Sequence, residues 1–153
     1  MSIIKKVTAS FDRPADTTAY TAADLVANST TAGSVTPLTF AVGDGGIRIK
    51  SIQITKTDET DVANADFSLH LFGSSPTVAN GDNGALSYNF SSKFADVDFA
   101  TMVAATDVAW SLSSGLDINW NTTGYVYGLL EADGAYTPAS GETFAVTLVY
   151  EAL

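Results

Sequence analysis

The sequence predicts an all-β protein, a single-domain β-sandwich of jelly-roll-like type, on three observations. Its closing segments, residues 125–131 and 142–151, read as strands. In the second, Phe144, Val146, Leu148 and Tyr150 share one parity and Thr143, Ala145, Thr147 and Val149 the other, the two-residue period of a strand with one buried face. No segment sustains an apolar stripe of helical period for three turns. Short apolar runs alternate instead with Gly-, Pro- and Asn-rich stretches, giving about eight strands, the pattern of a sandwich or jelly roll.

Taken in order, residues 3–11 form a strand with Lys5, Val7, Ala9 and Phe11 on one parity, and the doubled Lys5-Lys6 marks it as an edge strand or an exposed arm. Pro14 ends it, because proline restricts the residue before it and cannot donate to a ladder. Residues 20–26 are extended or a short helix, and 28–34 have turn composition. Residues 35–42 make a strand, Gly43-Asp44-Gly45-Gly46 reads as a hairpin turn, and 47–56 return. In that returning strand Ile47 and Ile49 lie on one parity and Ile52 and Ile54 on the other, which points to a bulge near Lys50-Ser51. Residues 58–65 are a polar loop. Residues 67–73 form a strand with Phe67, Leu69 and Leu71 inward and Ser68 and His70 outward. The Gly/Asn/Ser-rich stretch 74–92 is a surface excursion in which Leu86, Tyr88 and Phe90 suggest a short strand. Residues 94–105 are strand or one short helix, and 116–120 a short strand before the closing pair.

At 153 residues the chain fits one domain, 1–153, which at this size buries roughly two-thirds of its unfolded surface without metal or disulfide staples. Only 16% of residues are charged against 46% hydrophobic, so the surface is built largely from Thr, Ser, Asn and Gly. There is no cysteine, hence no thiolate chemistry and no dependence on redox compartment. A net charge of −10 opposes binding to a phosphate backbone, so nucleic acid is not an expected partner. No apolar run approaches the ~18 residues of a membrane span, and Met1 to Lys6 is the reverse of a secretory signal.

Charge is distributed unevenly. All seven basic residues fall in positions 1–93 beside nine acids, whereas 94–153 hold eight acids and no Lys or Arg. Either strands of both halves interleave and the asymmetry vanishes on folding, or the protein has a docking face and an acidic, solvent-facing side.

Chemistry-bearing motifs are absent. His70 is the sole histidine and stands in no nucleophile motif. Gly43-Asp44-Gly45-Gly46 feeds an isoleucine-rich strand rather than a helix, so it is no phosphate cradle. The Asp58-Glu59-Thr60-Asp61 run with Asp66, and the Asp96–Asp98 pair, offer calcium-type oxygens without the spacing of a calcium loop. The expectation is a non-enzyme with no cofactor and no metal. Trp110, Trp120, Tyr125, Tyr127 and Tyr136 gather in the last third. They are either core-edge aromatics or, for Trp110, Trp120 and Tyr136, platforms for stacking a sugar. The sequons at Asn28, Asn89 and Asn121 are expected by chance in so Thr- and Ser-rich a chain.

The run Phe11-Asp12-Arg13-Pro14-Ala15-Asp16-Thr17-Thr18-Ala19-Tyr20, continuing to Val26, resembles the opening of small structural proteins of tailed-bacteriophage virions. The stretch from Tyr127-Gly128 through Ala135-Tyr136-Thr137-Pro138-Ala139-Ser140-Gly141-Glu142 to Phe144 has the same character. The resemblance implies a jelly-roll-like fold and a place on the capsid surface, after synthesis in the host cytoplasm, as a head decoration or cement protein. Its partners would be the major capsid protein and itself, as a homo-trimer or dimer. Neither phrase is a catalytic motif. Residues 1–13, with Lys5, Lys6 and Arg13, are the expected lattice-facing arm, since they concentrate positive charge in an acidic chain. The alternative is a carbohydrate- or receptor-binding β-sandwich module.

Overall fold

A computed structural model describes residues 3–153, without the side chain of Phe90. Nine strands carry the fold: β1 (Ile3–Asp12), β2 (Asp24–Val26), β3 (Leu38–Lys56), β4 (Phe67–Phe72), β5 (Lys93–Asp98), β6 (Val103–Ala104), β7 (Ala109–Ser113), β8 (Ile118–Ala132) and β9 (Thr143–Ala152). The helical content among the described residues is two single 3₁₀ turns, Ala32–Ser34 and Phe90–Ser92. Every strand pair is antiparallel.

The ladders sort into two layers. One sheet runs β1-β9-β3-β7, with β6 beyond β7; the other runs β2-β8-β4-β5. Apart from β2 to β3, which stays beside β8, β4 to β5 and the small β6 to β7 hairpin, each successive connection changes sheet, which is jelly-roll topology. The predicted fold class is therefore the observed one. Between the layers lie Phe40, Ile52, Ile54, Phe67, Leu69, Leu71, Val126, Phe144, Val146 and Leu148, all fully buried. Phe67 of β4 meets Phe144 of β9 edge-on at 5.3 Å between ring centroids, a contact between strands that do not pair.

Two long strands weld the layers at one corner. Residues Leu38 to Ile49 of β3 pair with β8, and Ile47 to Lys56 pair with β9. The Gly43–Gly46 run is thus not the expected hairpin turn but the bend inside one 19-residue strand. Gly43, Gly45 and, across the ladder, Gly124 have φ of +81°, +110° and +123°, a left-handed backbone that suits residues without a Cβ. The register slips between Ala41 and Gly43, and the bulge adds the local twist that turns the strand from sheet to sheet. The second slip, between Ile49 and Ser51, is the bulge foreseen at Lys50; it resets the pleat so that Ile47, Ile49, Ile52 and Ile54 are all buried.

One further expectation is qualified and two are corrected. β4 is buried along its whole length, Ser68 and His70 included, because neighbouring side chains and the 74–92 segment cover its outer side. That segment forms no strand at Leu86 or Tyr88; one bridge, Asp24 with Ala85, ties it to β2, and another, Val78 with Tyr88, lies within it. The strand expected at 116–120 is the beginning of β8.

Candidate interaction surfaces and the buried polar network

β1 is no detached arm. From Ile3 to Asp12 it pairs without interruption along β9, and Val7, Ala9 and Phe11 pack against the core. Phe11 stacks on Phe144 at 5.6 Å. Lys5 and Lys6 stand exposed on this edge strand. Arg13 does not: its side chain is wholly buried in a contact with Asp82 at 3.2 Å, which rules it out as a lattice contact.

Around Arg13 lies a network that sequence reading missed. Its Nε–H donates to the Tyr20 hydroxyl at 2.5 Å, and Tyr20 donates to Asp82 at 2.6 Å. The Ala27 amide also donates to Asp82, at 2.8 Å. Burial pushes the Asp82 carboxyl up, while Tyr20, Ala27 and Arg13 pull it back. Burial beside Asp82 drives the Tyr20 phenol far above its ordinary value. The Tyr20 ring stacks on that of Tyr136 at 6.1 Å. Tyr136 in turn donates to Glu142 at 2.5 Å, and Glu142 faces the buried Lys56 ammonium at 3.6 Å. Backbone bonds lock the same region, from Arg13 N–H to Glu142, Tyr20 N–H to Tyr136 and Gly141 N–H to Pro14. The opening and closing phrases that carry the virion resemblance therefore meet in space, as a buried clamp on the loops at one end of the sandwich.

Of the three aromatics proposed to stack a sugar, only Trp110 offers an open ring, 37% exposed. Tyr136 is fully buried within the network. Trp120 stacks on Phe94 at 4.4 Å, with ring planes 7° apart. Its other neighbour is Gly73, where a Cβ would come within 2.6 Å of the indole. Phe94 thus already occupies one face of this half-buried ring.

Cross-strand register lays out the outer face of the β1-β9-β3-β7 sheet. One row reads Val103, Trp110, Thr55, Ala145, Ser10; the next Leu112, Gln53, Thr147, Thr8; the third Ser51, Val149, Lys6. All are exposed or half-buried, and the only charge among these twelve is Lys6; one row beyond Ser10 and Ala145 the same face carries Asp12, whose carboxylate accepts from the Thr143 hydroxyl at 2.5 Å. Thr8 and Thr147 hydroxyls bond across the strands at 2.8 Å. At the far end Arg48 pairs with Asp117 at 3.0 Å and Glu151 at 3.2 Å.

The opposite outer face is charged and covered. His70 Nδ1 lies 2.7 Å from Asp96 and its Nε2 3.4 Å from Glu131. Lys93 reaches Asp96 at 2.6 Å and the hydroxyl of Tyr88, from the 74–92 segment, at 2.7 Å. Ser68 Oγ sits 2.6 Å from Asp98 and 2.5 Å from Asp133. One hydroxyl proton serves one acceptor, so the two carboxyls compete for it. Burial pushes the Asp133 carboxyl up, the Ser68 hydrogen bond pulls it back, and the neighbouring Glu131 and Asp98 push it up further. Folding offsets the charge asymmetry of the sequence only in part. First-half cations pair with second-half acids at Arg48, Lys56 and Lys93, while Asp96, Asp98, Glu131 and Asp133 collect on one side. Among the described residues no group of three or more His, Cys, Asp or Glu is placed to hold a metal ion, and no helix is long and apolar enough to cross a membrane.

No family model matches the chain, and no curated protein matches it. Solved structures resemble it in outline. A chain in the capsid asymmetric unit of cyanophage Pam1 aligns over 99% of this chain and 86% of its own, at 14% identity and a TM-score of 0.41. One in the acid-stable capsid of Helicobacter pylori bacteriophage KHP30 aligns over 99% and 94%, at 10% identity and 0.34. A carbohydrate-binding module from Cellvibrio mixtus lichenase 5A, in complex with cellotriose, aligns over 95% of each chain, at 9% identity and 0.34. Likenesses of this size decide nothing about function.

Proposed function

We propose that this chain is a structural protein of a tailed-phage virion, a head decoration or cement protein that docks on the major capsid protein through the outer face of its β1-β9-β3-β7 sheet. The observation that carries the reading is that face: twelve side chains in three rows, one of them charged, with Trp110, Leu112 and Val103 along one border. Burying it strands almost no charge, and desolvating unpaired charge is what penalises contacts elsewhere on so acidic a surface. Aromatic and aliphatic side chains amid Thr and Ser match the composition of interface cores, where charged residues are depleted. The virion-like phrases at both ends of the chain agree with this role; they contribute the clamp that rigidifies the body rather than the docking contacts.

Cosedimentation of the full chain with assembled heads stripped of decoration proteins tests the reading. Wild type should pellet with heads, and Thr147→Glu, a charge in the middle of the face, should remain in the supernatant. A chain that ignores heads and binds host polysaccharide through Trp110 would establish the sugar-binding alternative, which retains that one open ring.

A further inference from the structure

The β1 edge is long, regular and unpaired on its outer side. It runs ten residues with no proline and no register slip against β9, and β9 is its sole strand partner among the described residues. Natural sheets usually shorten, bulge or cover such an edge, because it is a template for another strand. Here its second half, Ala9 to Asp12, forms one wall of a groove of about 550 Å³ whose other wall is Asn28 and Thr36 to Thr39. Its first half lies outside that groove.

We infer that the chain forms a two-fold dimer by antiparallel pairing of β1 with β1 of a second copy, centred on Ala9, each strand's first half entering the other's groove. The register follows from self-complementarity. Placing Ala9 opposite the partner's Ala9 sets Lys6 against the partner's Asp12, twice by symmetry, with Val7 against the partner's Phe11 and Thr8 against the partner's Ser10. Core-side residues then meet core-side residues, as the pleat requires, and opposite charges face each other. Both cations of the edge, Lys5 and Lys6, lie in the half that enters a groove bordered by Asp12, in a chain that is otherwise strongly acidic. Four residues at ~3.3 Å each span ~13 Å, matching the Ala9–Asp12 wall.

Area gives a second argument, resting on the proposed docking face. Twelve outward residues, each covering about 6.8 by 4.8 Å of sheet, present on the order of 400 Å², about half of what one partner contributes to a standard interface. Pairing about an axis normal to the sheet puts the two neutral faces side by side and doubles that surface.

The test uses the full chain, free of native cysteine. Sedimentation velocity at micromolar concentration should show a species of twice 15.9 kDa. Oxidised Ala9→Cys should run as a covalent dimer, because opposed antiparallel Cα atoms lie ~4.5–5.5 Å apart, within disulfide reach. Ser10→Cys alone should cross-link at least tenfold less. Lys6→Asp should weaken the dimer on the order of tenfold, and Lys6→Asp with Asp12→Lys should restore it. A monomer at ~100 µM, a trimer, or a dimer in which Ala9→Cys does not cross-link and the charge swap does not rescue would overturn the inference. Head binding is read separately, so a dimer that ignores heads would refute the docking proposal and leave this one standing.

Discussion

The two outer faces of this sandwich have the same strand geometry and opposite surfaces. On the β2-β8-β4-β5 side, Ser68 and His70 are buried under neighbours and held in a web of carboxylates, Lys93 and Tyr88. On the β1-β9-β3-β7 side, twelve residues carry one charge and point outward. A face whose polar groups already have partners gains little from another protein, and losing those partners would cost it. A neutral face of Thr, Ser, Ala, Val and Trp loses little on desolvation. The difference is why the proposed docking is placed on the second face.

The largest expected effect concerns β1, which holds the neutral face to the core. Deleting residues 1–13 removes one strand of that sheet, the Phe11–Phe144 stack and the Arg13 guanidinium that compensates Asp82. The outcome should be loss of the cooperative unfolding transition, seen as a flat thermal melt by circular dichroism. A truncated chain with a sharp melt near wild type would return β1 to the status of a dispensable arm.

Next, Asp82→Ala leaves the Arg13 guanidinium and the Tyr20 hydroxyl buried without their acceptor, and should cost about 3–5 kcal/mol in urea unfolding. A loss under about 1 kcal/mol would show that the 74–92 segment is held over the charged face by something other than this clamp.

Those two variants also mark what the sequence makes legible. Periodicity located β9 and its inward residues, and the parity change among Ile47, Ile49, Ile52 and Ile54 revealed the bulge, because both signals are local. The Gly43–Gly46 run reads as a hairpin turn in sequence because glycines permit a hairpin turn and a bend within a long strand equally well; only the partner β8 decides between them. The Arg13–Tyr20–Asp82 clamp joins positions up to 69 residues apart, and no spacing rule links them. Residue type alone cannot say whether Arg13, Trp120 and Tyr136 are available side chains, because burial depends on what folds over them. The neutral face was visible only as composition until register put its residues in rows.

A smaller effect separates the faces by pH. Because burial raises the Asp133 carboxyl in the folded chain, the folded state binds more protons than the unfolded state above the ordinary carboxylate range near ~4. Stability from this group therefore rises as pH is lowered from 7 toward that range and falls as pH rises. Melting temperatures at pH 7 and pH 5 should show a larger acid-side gain for wild type than for Asp133→Asn. Equal gains would mean that folding does not hold the Asp133 carboxyl above its ordinary range.

The smallest effect on folding, and the most selective on function, belongs to Trp110→Ser with Leu112→Ser. Both side chains are exposed, so the pair should change stability by less than about 1 kcal/mol, yet loosen head binding at least tenfold. Unchanged binding would remove the β7 border from the docking face.

Cryo-electron microscopy of heads carrying the bound chain tests the central claim most directly. The account predicts density in which Trp110, Gln53 and Thr147 face the capsid shell while Asp96, Asp98 and Glu131 face solvent. Density with the Asp96–Glu131 side against the shell, or occupancy elsewhere on the particle with the neutral face exposed, would contradict it.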